Sequence, residues 1–386
     1  MVKIKWTALI LLTVSFVQAF SAPISKEYQR QFKQAMIYVQ NEEYKDALPV
    51  LAALNKENNN ANLDFHIGLC NYYLQFDKRE ALASFDKAVK NIAKKYTNTA
   101  TDVQAPNEAV YFQALCYHYL AETDKAIAKY EEYLKNAKEY SSDKLIIADA
   151  KRKLKIAKET PSLFAMSEHN EIVAGRATTK KLEKSYTAKL KKVMDIIQDD
   201  KIEALLLLKG MLKEYPNEPN INYMMGICLL NIKPYNELAT DYFIIADKNS
   251  SSFKESGIGL DCPAFVKYYS GIANQVNGNH KQALADFEAF NAVYPEDYAS
   301  SKPEFIKHME YSRNMLKNGT PQDSAALASY NNQMNIIDTA GVSVLFPILG
   351  TPIANENNNH NKTNTTFDSE YYYSVQVGAG NMKENH

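Results

Sequence analysis

The feature that most constrains this chain is a spacing that recurs. Ala35, Tyr38, Ala47, Leu51 and Leu54 are separated by 3, 9, 4 and 3 residues, and Ala114, Tyr117, Ala126, Tyr130 and Tyr133 repeat those separations. Between them stand Gly68, Tyr72, Ala81, Phe85 and Ala88, with the turn shifted by one residue. Ala47 and Ala81 are 34 residues apart, the period of a two-helix repeat. Small residues such as Ala35 and Ala47 let two helices approach closely, and the large residues three or four positions away fill the groove toward the next pair. One such hairpin cannot bury its own apolar face, whereas stacked hairpins can.

The second half repeats the first. Ala47 and Ala204 are 157 residues apart, Ala81 and Ala239 are 158, and Ala126 and Ala283 are 157. The sequence around Asn62, Phe65, Gly68 and Cys70 is matched around Asn220, Tyr223, Gly226 and Cys228. Both halves also stretch the gap between their second and third alanines, with polar inserts at residues 96–107 and 250–261. A matched insertion at the same place indicates duplication of a three-hairpin unit.

Across residues 28–318 these motifs resemble the tetratricopeptide repeat. The resemblance implies an all-α, right-handed superhelix of helical hairpins, built as two duplicated three-repeat units. In such a fold the first helix of each pair lines a concave face that binds protein or peptide segments. The residues implied to line that groove are Phe32, Phe65, Tyr111, Tyr223 and Tyr268. The family's carboxylate clamp needs Lys and Asn where those rings and Met36, Leu69, Leu115, Ile227 and Ile272 stand, so an apolar or extended segment is the implied guest. The alternative is that the rings pack against the neighbouring helix, since large apolar side chains usually sit inside.

Organisation follows from this pattern. Lys3 and Lys5, the apolar run from Ala8 to Val17 and the small residues Ala19, Ser21 and Ala22 read as a signal peptide over residues 1–21. The first unit is expected at 26–160 and the second at 186–318, each ending in a capping helix, with a basic linker at 161–185. Residues 151–192 hold twelve Lys or Arg against four Glu, among them Lys151, Arg152, Lys153, Lys180, Lys181 and Lys184. That basic waist could hold an anionic surface, peptidoglycan included, or be two solvated helix faces.

Residues 319–370 end in an Asn-rich tract that reads as a disordered linker. Beyond it, residues 371–386 carry a short β segment, and Tyr373–Ala379 is similar to the first strand of a SPOR domain, a peptidoglycan-binding module. Too few residues follow to complete one, which leaves a truncated module or a strand that pairs with another protein.

The chain thus resembles the repeat-plus-cell-wall-module proteins of Gram-negative bacteria, and the resemblance implies an exported scaffold of the envelope, periplasmic or outer-membrane associated. The alternative is a non-catalytic subunit of an envelope enzyme such as a wall hydrolase. A net charge of −1 gives no field that draws nucleic acid. No cofactor, metal or catalytic role is expected: the seven His include no pair at ligand spacing, and no phosphate loop or nucleophile elbow is present. Of four cysteines, Cys70, Cys116 and Cys228 read as buried thiols, with a Cys70–Cys116 bridge open in an oxidising compartment and Cys262 open to exposure.

Overall fold

A computed structural model describes residues 24–75, 77–140, 142–177, 182–183, 185–254, 262–293 and 302–318. The signal-peptide reading, the Asn-rich tract and the C-terminal β segment lie outside those residues.

The described chain is all-α, as its spacing predicts, and its helices follow one another as hairpins. In the first half α1 (Lys26–Gln40) pairs with α2 (Tyr44–Glu57), α3 (Ala61–Leu74) with α4 (Arg79–Ala88), and α5 (Glu108–Tyr119) with α6 (Thr123–Asn136). After α7 (Lys144–Glu159) and α8 (Met166–Gly175), α9 (Ser185–Ile197) pairs with α10 (Lys201–Glu214) and α11 (Pro219–Asn231) with α12 (Ala239–Lys254). The last pair is α13 (Phe265–Val276) with α14 (His280–Ala292), closed by α15 (Lys302–Asn318).

Local chemistry starts these helices. The Ser25 hydroxyl accepts from the Tyr28 amide at 3.0 Å, Asn60 accepts from Leu63 at 3.0 Å and Asp200 from Glu203 at 2.9 Å, each relieving an orphan amide of a first turn. The C-terminal end of α3 is relieved differently. Lys78 Nζ donates to the carbonyl of Tyr72 at 2.7 Å and to that of Gln75.

Packing follows the repeat. Ala47 and Ala204 are fully buried on the second helices α2 and α10, the same place in their hairpins. Gly68 lies under the Phe85 ring so closely that a Cβ would stand 2.6 Å from it, and Gly226 meets Phe243 at the same 2.6 Å. Only glycine permits that approach, in both halves. The second helices α2, α4 and α6 bury one stripe each, whereas α3, α5 and α11 are buried nearly all round. A helix apolar on every side belongs to the interior. A continuous core runs from Ala61 to Met309, and a smaller one gathers Tyr28, Phe32, Leu51 and Leu63 around the first pair.

The basic stretch 161–185 is not a bare linker. It contains α8, which docks on α10 through Glu168 to Lys209 at 2.9 Å and Glu171 to Lys213 at 2.9 Å, with Phe164 and Ile172 buried beneath. Its buried residues are few and flanked by charge, so no long apolar period announces it.

Cys70, Cys116 and Cys228 are free, buried thiols, so no Cys70–Cys116 bridge forms, and Cys262 is buried rather than exposed. Burial pushes the Cys70 thiol up to about 12 and those of Cys116 and Cys228 well up as well. Under native conditions at pH 8, a thiol reagent should label these three residues at least a hundred times more slowly than in denaturant. Rapid native labelling of any of them would contradict the packing.

Candidate partner-binding surface

The five rings implied as groove contacts do not line an open groove. Phe32 and Phe65 are each 3% exposed, Tyr111 7%, Tyr223 2% and Tyr268 1%. Each is packed by neighbouring rings: Phe32 meets His66 at 6.1 Å, Phe65 meets Phe112 at 6.2 Å, and Tyr223 meets Tyr269 at 6.0 Å. Tyr111 donates its hydroxyl to Asp149 of α7, and Tyr268 stands edge-on to His308 of α15 at 5.9 Å. The physical reason is ordinary: a ring offers more contact area to an adjacent helix than to water.

Several other segments cover the inner faces of these helices. The first polar insert folds back over α3. The Tyr96 hydroxyl donates to Asn62 Oδ1 at 2.6 Å, Asn62 Nδ2 donates to the Thr99 carbonyl at 3.4 Å, and the Ala61 amide donates to the Val103 carbonyl at 3.1 Å. A bridge between Ile92 and Ala105 closes the base of the insert. At the C-terminal end of α5, the Lys233 amide donates to the Tyr119 carbonyl at 2.9 Å, joining the two halves. The second insert lies mostly outside the described residues.

His66 is the hinge of the first cover. Its Nε2 stands 2.9 Å from Asn98 Oδ1 and 3.1 Å from Tyr96 Oη, while its buried Nδ1 has no hydrogen-bond partner. An amide oxygen only accepts, so Nε2 carries a proton, and the buried Nδ1, with no acceptor beside it, is left unprotonated in the neutral ring. Burial holds its pKa down at about 4. His66 therefore contributes stability that is present above about pH 6.5, its unfolded value, and is lost as pH falls to the folded value.

The loss specific to His66 should approach about 3 kcal/mol by pH 4, because each tenfold change in proton affinity is worth about 1.4 kcal/mol. Burial raises the Glu108 and Glu218 carboxyls, which opposes the trend, so the measurement is a difference. Urea midpoints at pH 7 and pH 4.5 should fall further in the native chain than in His66→Gln. Equal falls would show that His66 does not hold the insert.

The basic waist is likewise partly internal. Lys153 is 3% exposed and pairs with Asp200, and Arg152 pairs with Asp149, with Glu203 and, at 3.4 Å, with Asp200. These contacts bind α7 to the start of α10, so the two cations serve the junction between halves and are not a free anion-binding surface. Lys151 is exposed on α7. Lys180, Lys181 and Lys184 lie outside the described residues. Among the described residues no cluster of three or more His, Cys, Asp or Glu could hold a metal ion, and no helix is long and apolar enough to cross a membrane.

No family model matches the chain, and no curated protein matches it. Among solved structures it is similar to the TPR2AB-domain:pHSP90-complex of yeast Sti1, at 13% identity and a TM-score of 0.25, covering 74% of this chain and 98% of that one.

Proposed function

We propose that the chain is an exported, non-catalytic helical-repeat scaffold of a bacterial envelope that holds protein partners on its outer helices. The observation that carries this reading is the stacked-hairpin array with its inner helices sealed. An array of this kind presents a long, repeated outer surface, while its interior is committed to stability. Exposed apolar side chains on the helices between the two halves, Leu145 of α7 at 61% and Met166 of α8 at 58%, offer contacts a partner would cover. Export rests on the pattern of residues 1–21, and contact with peptidoglycan rests on the likeness of residues 373–379 to a SPOR strand.

The test is expression of the full chain with its own N-terminus in a Gram-negative bacterium, followed by fractionation, crosslinking and N-terminal sequencing. The expected result is a periplasmic protein beginning at Phe20 or Ala22, crosslinked to envelope proteins and sedimenting with peptidoglycan sacculi. A cytosolic protein that retains Met1 would overturn the export reading. A periplasmic protein with no crosslinked partner would overturn the scaffold reading.

A further inference from the structure

The two halves differ at one cleft, and the difference is chemical. In the first half Gln113 and Tyr117 reach from α5 to its neighbours α4 and α6; Gln113 donates to Asp86 at 2.6 Å, and the Tyr117 ring carries Lys125 Nζ 5.3 Å from its centre. The corresponding residues of the second half, 157 positions on, are Ser270 and Asn274. Their smaller side chains leave a cavity of about 360 Å³ between α12, α13 and α14. That volume is within the range of small-ligand sites.

Three donors converge there on one carboxylate. Asp286 accepts from the Ser270 hydroxyl at 2.7 Å, from Asn274 Nδ2 at 2.9 Å and from Gln282 Nε2 at 2.8 Å. The corresponding residue of the first half is Lys129, so the duplication has also reversed the charge. Two lysines also line the cleft: Lys267 is drawn to Asp247 at 2.7 Å and 2.8 Å and Lys248 is exposed, and among the described residues neither is ion-paired with Asp286. With three donors bound, a carboxylate retains about one lone-pair direction, and the hydroxyl and amide oxygens beside it also accept. Ile244, 52% exposed, forms an apolar wall at the mouth.

We propose that this cleft binds a primary ammonium group on an aliphatic stem, with the charge on Asp286 and the stem along Ile244. A carboxylate without an ion-pair partner, beside hydroxyl and amide oxygens that also accept, calls for a cation that donates, and the flexible stem of such a group lies readily on apolar surface. A free alkylamine and a lysine side chain of a docking protein share this chemistry.

The test uses two probes on the full chain, n-butylammonium chloride and acetyl-Gly-Lys-Gly-amide, with n-butanol as the uncharged control, read by NMR titration. Saturable binding of at least one ammonium probe, with none for n-butanol, is expected. Tighter binding of the peptide identifies a protein side chain as the source, and tighter binding of n-butylammonium identifies a free amine. Asp286→Asn should weaken binding at least tenfold. The double variant Ser270→Gln with Asn274→Tyr, which installs the first half's side chains, should abolish it. No saturable binding of either probe, or unchanged affinity in Asp286→Asn, would overturn the proposal. The near-isosteric Asp286→Asn variant decides the matter if the filled variant fails to fold.

Discussion

Asp200→Ala should lower the stability of the folded chain by about 3–5 kcal/mol, the cost of removing one partner of a buried ion pair. Asp200 is 5% exposed and takes three parts at once: it caps α10, pairs with the buried Lys153 and accepts Arg152 from the other half. Its loss leaves the Lys153 ammonium in a dry site with no counter-charge, and the first turn of α10 loses its cap. Replacing both partners, as in Lys153→Met with Asp200→Leu, should cost clearly less than Asp200→Ala alone, because an apolar pair strands no charge. Urea unfolding of the three variants measures both differences. A change of under about 0.5 kcal/mol in Asp200→Ala, the range of an ordinary surface substitution, would show that the junction between the halves is not held this way.

Tyr268→Ala should cost about 3–5 kcal/mol, the range of a core aromatic truncation. The ring is 1% exposed and is surrounded by Phe287 at 6.0 Å, Phe290 at 5.6 Å and His308 at 5.9 Å. Tyr111→Ala should be similar in size, since it empties a comparable site and also strips a donor from Asp149. Recovery of crosslinked partners, normalised to folded protein, should not change in either variant. Lost recovery at unchanged melting temperature would restore these tyrosines to a binding groove.

The pairing of helices was legible because it rests on short-range geometry. The small residues at Ala47, Ala81, Ala126, Ala204, Ala239 and Ala283 are all fully buried, and each marks a close approach that spacing alone reveals. The fate of the inner rings was not legible. A tyrosine at a groove position and a tyrosine under a neighbouring helix have the same periodicity, and only tertiary placement of the first insert, α7 and α15 distinguishes them.

The waist misled for a related reason. Arg152 and Lys153 join a run of like charge in sequence, but their partners Asp200 and Glu203 lie far along the chain, across the junction. The open cleft left a trace in the sequence, since Ser270 and Asn274 break the pattern set by Gln113 and Tyr117. A break in a repeat becomes a cavity only when no neighbour moves in to fill it, and that is a property of packing.

If the inner helices are core, they should open last. Hydrogen exchange of the full native chain, read by mass spectrometry on peptides from α5 and α11, decides this. Glu108–Tyr119 and Pro219–Asn231 should exchange slowest of all segments, opening only with global unfolding. Exchange of these helices as fast as that of the one-sided helix α2, Tyr44–Glu57, would show that they are not the sealed interior of the array.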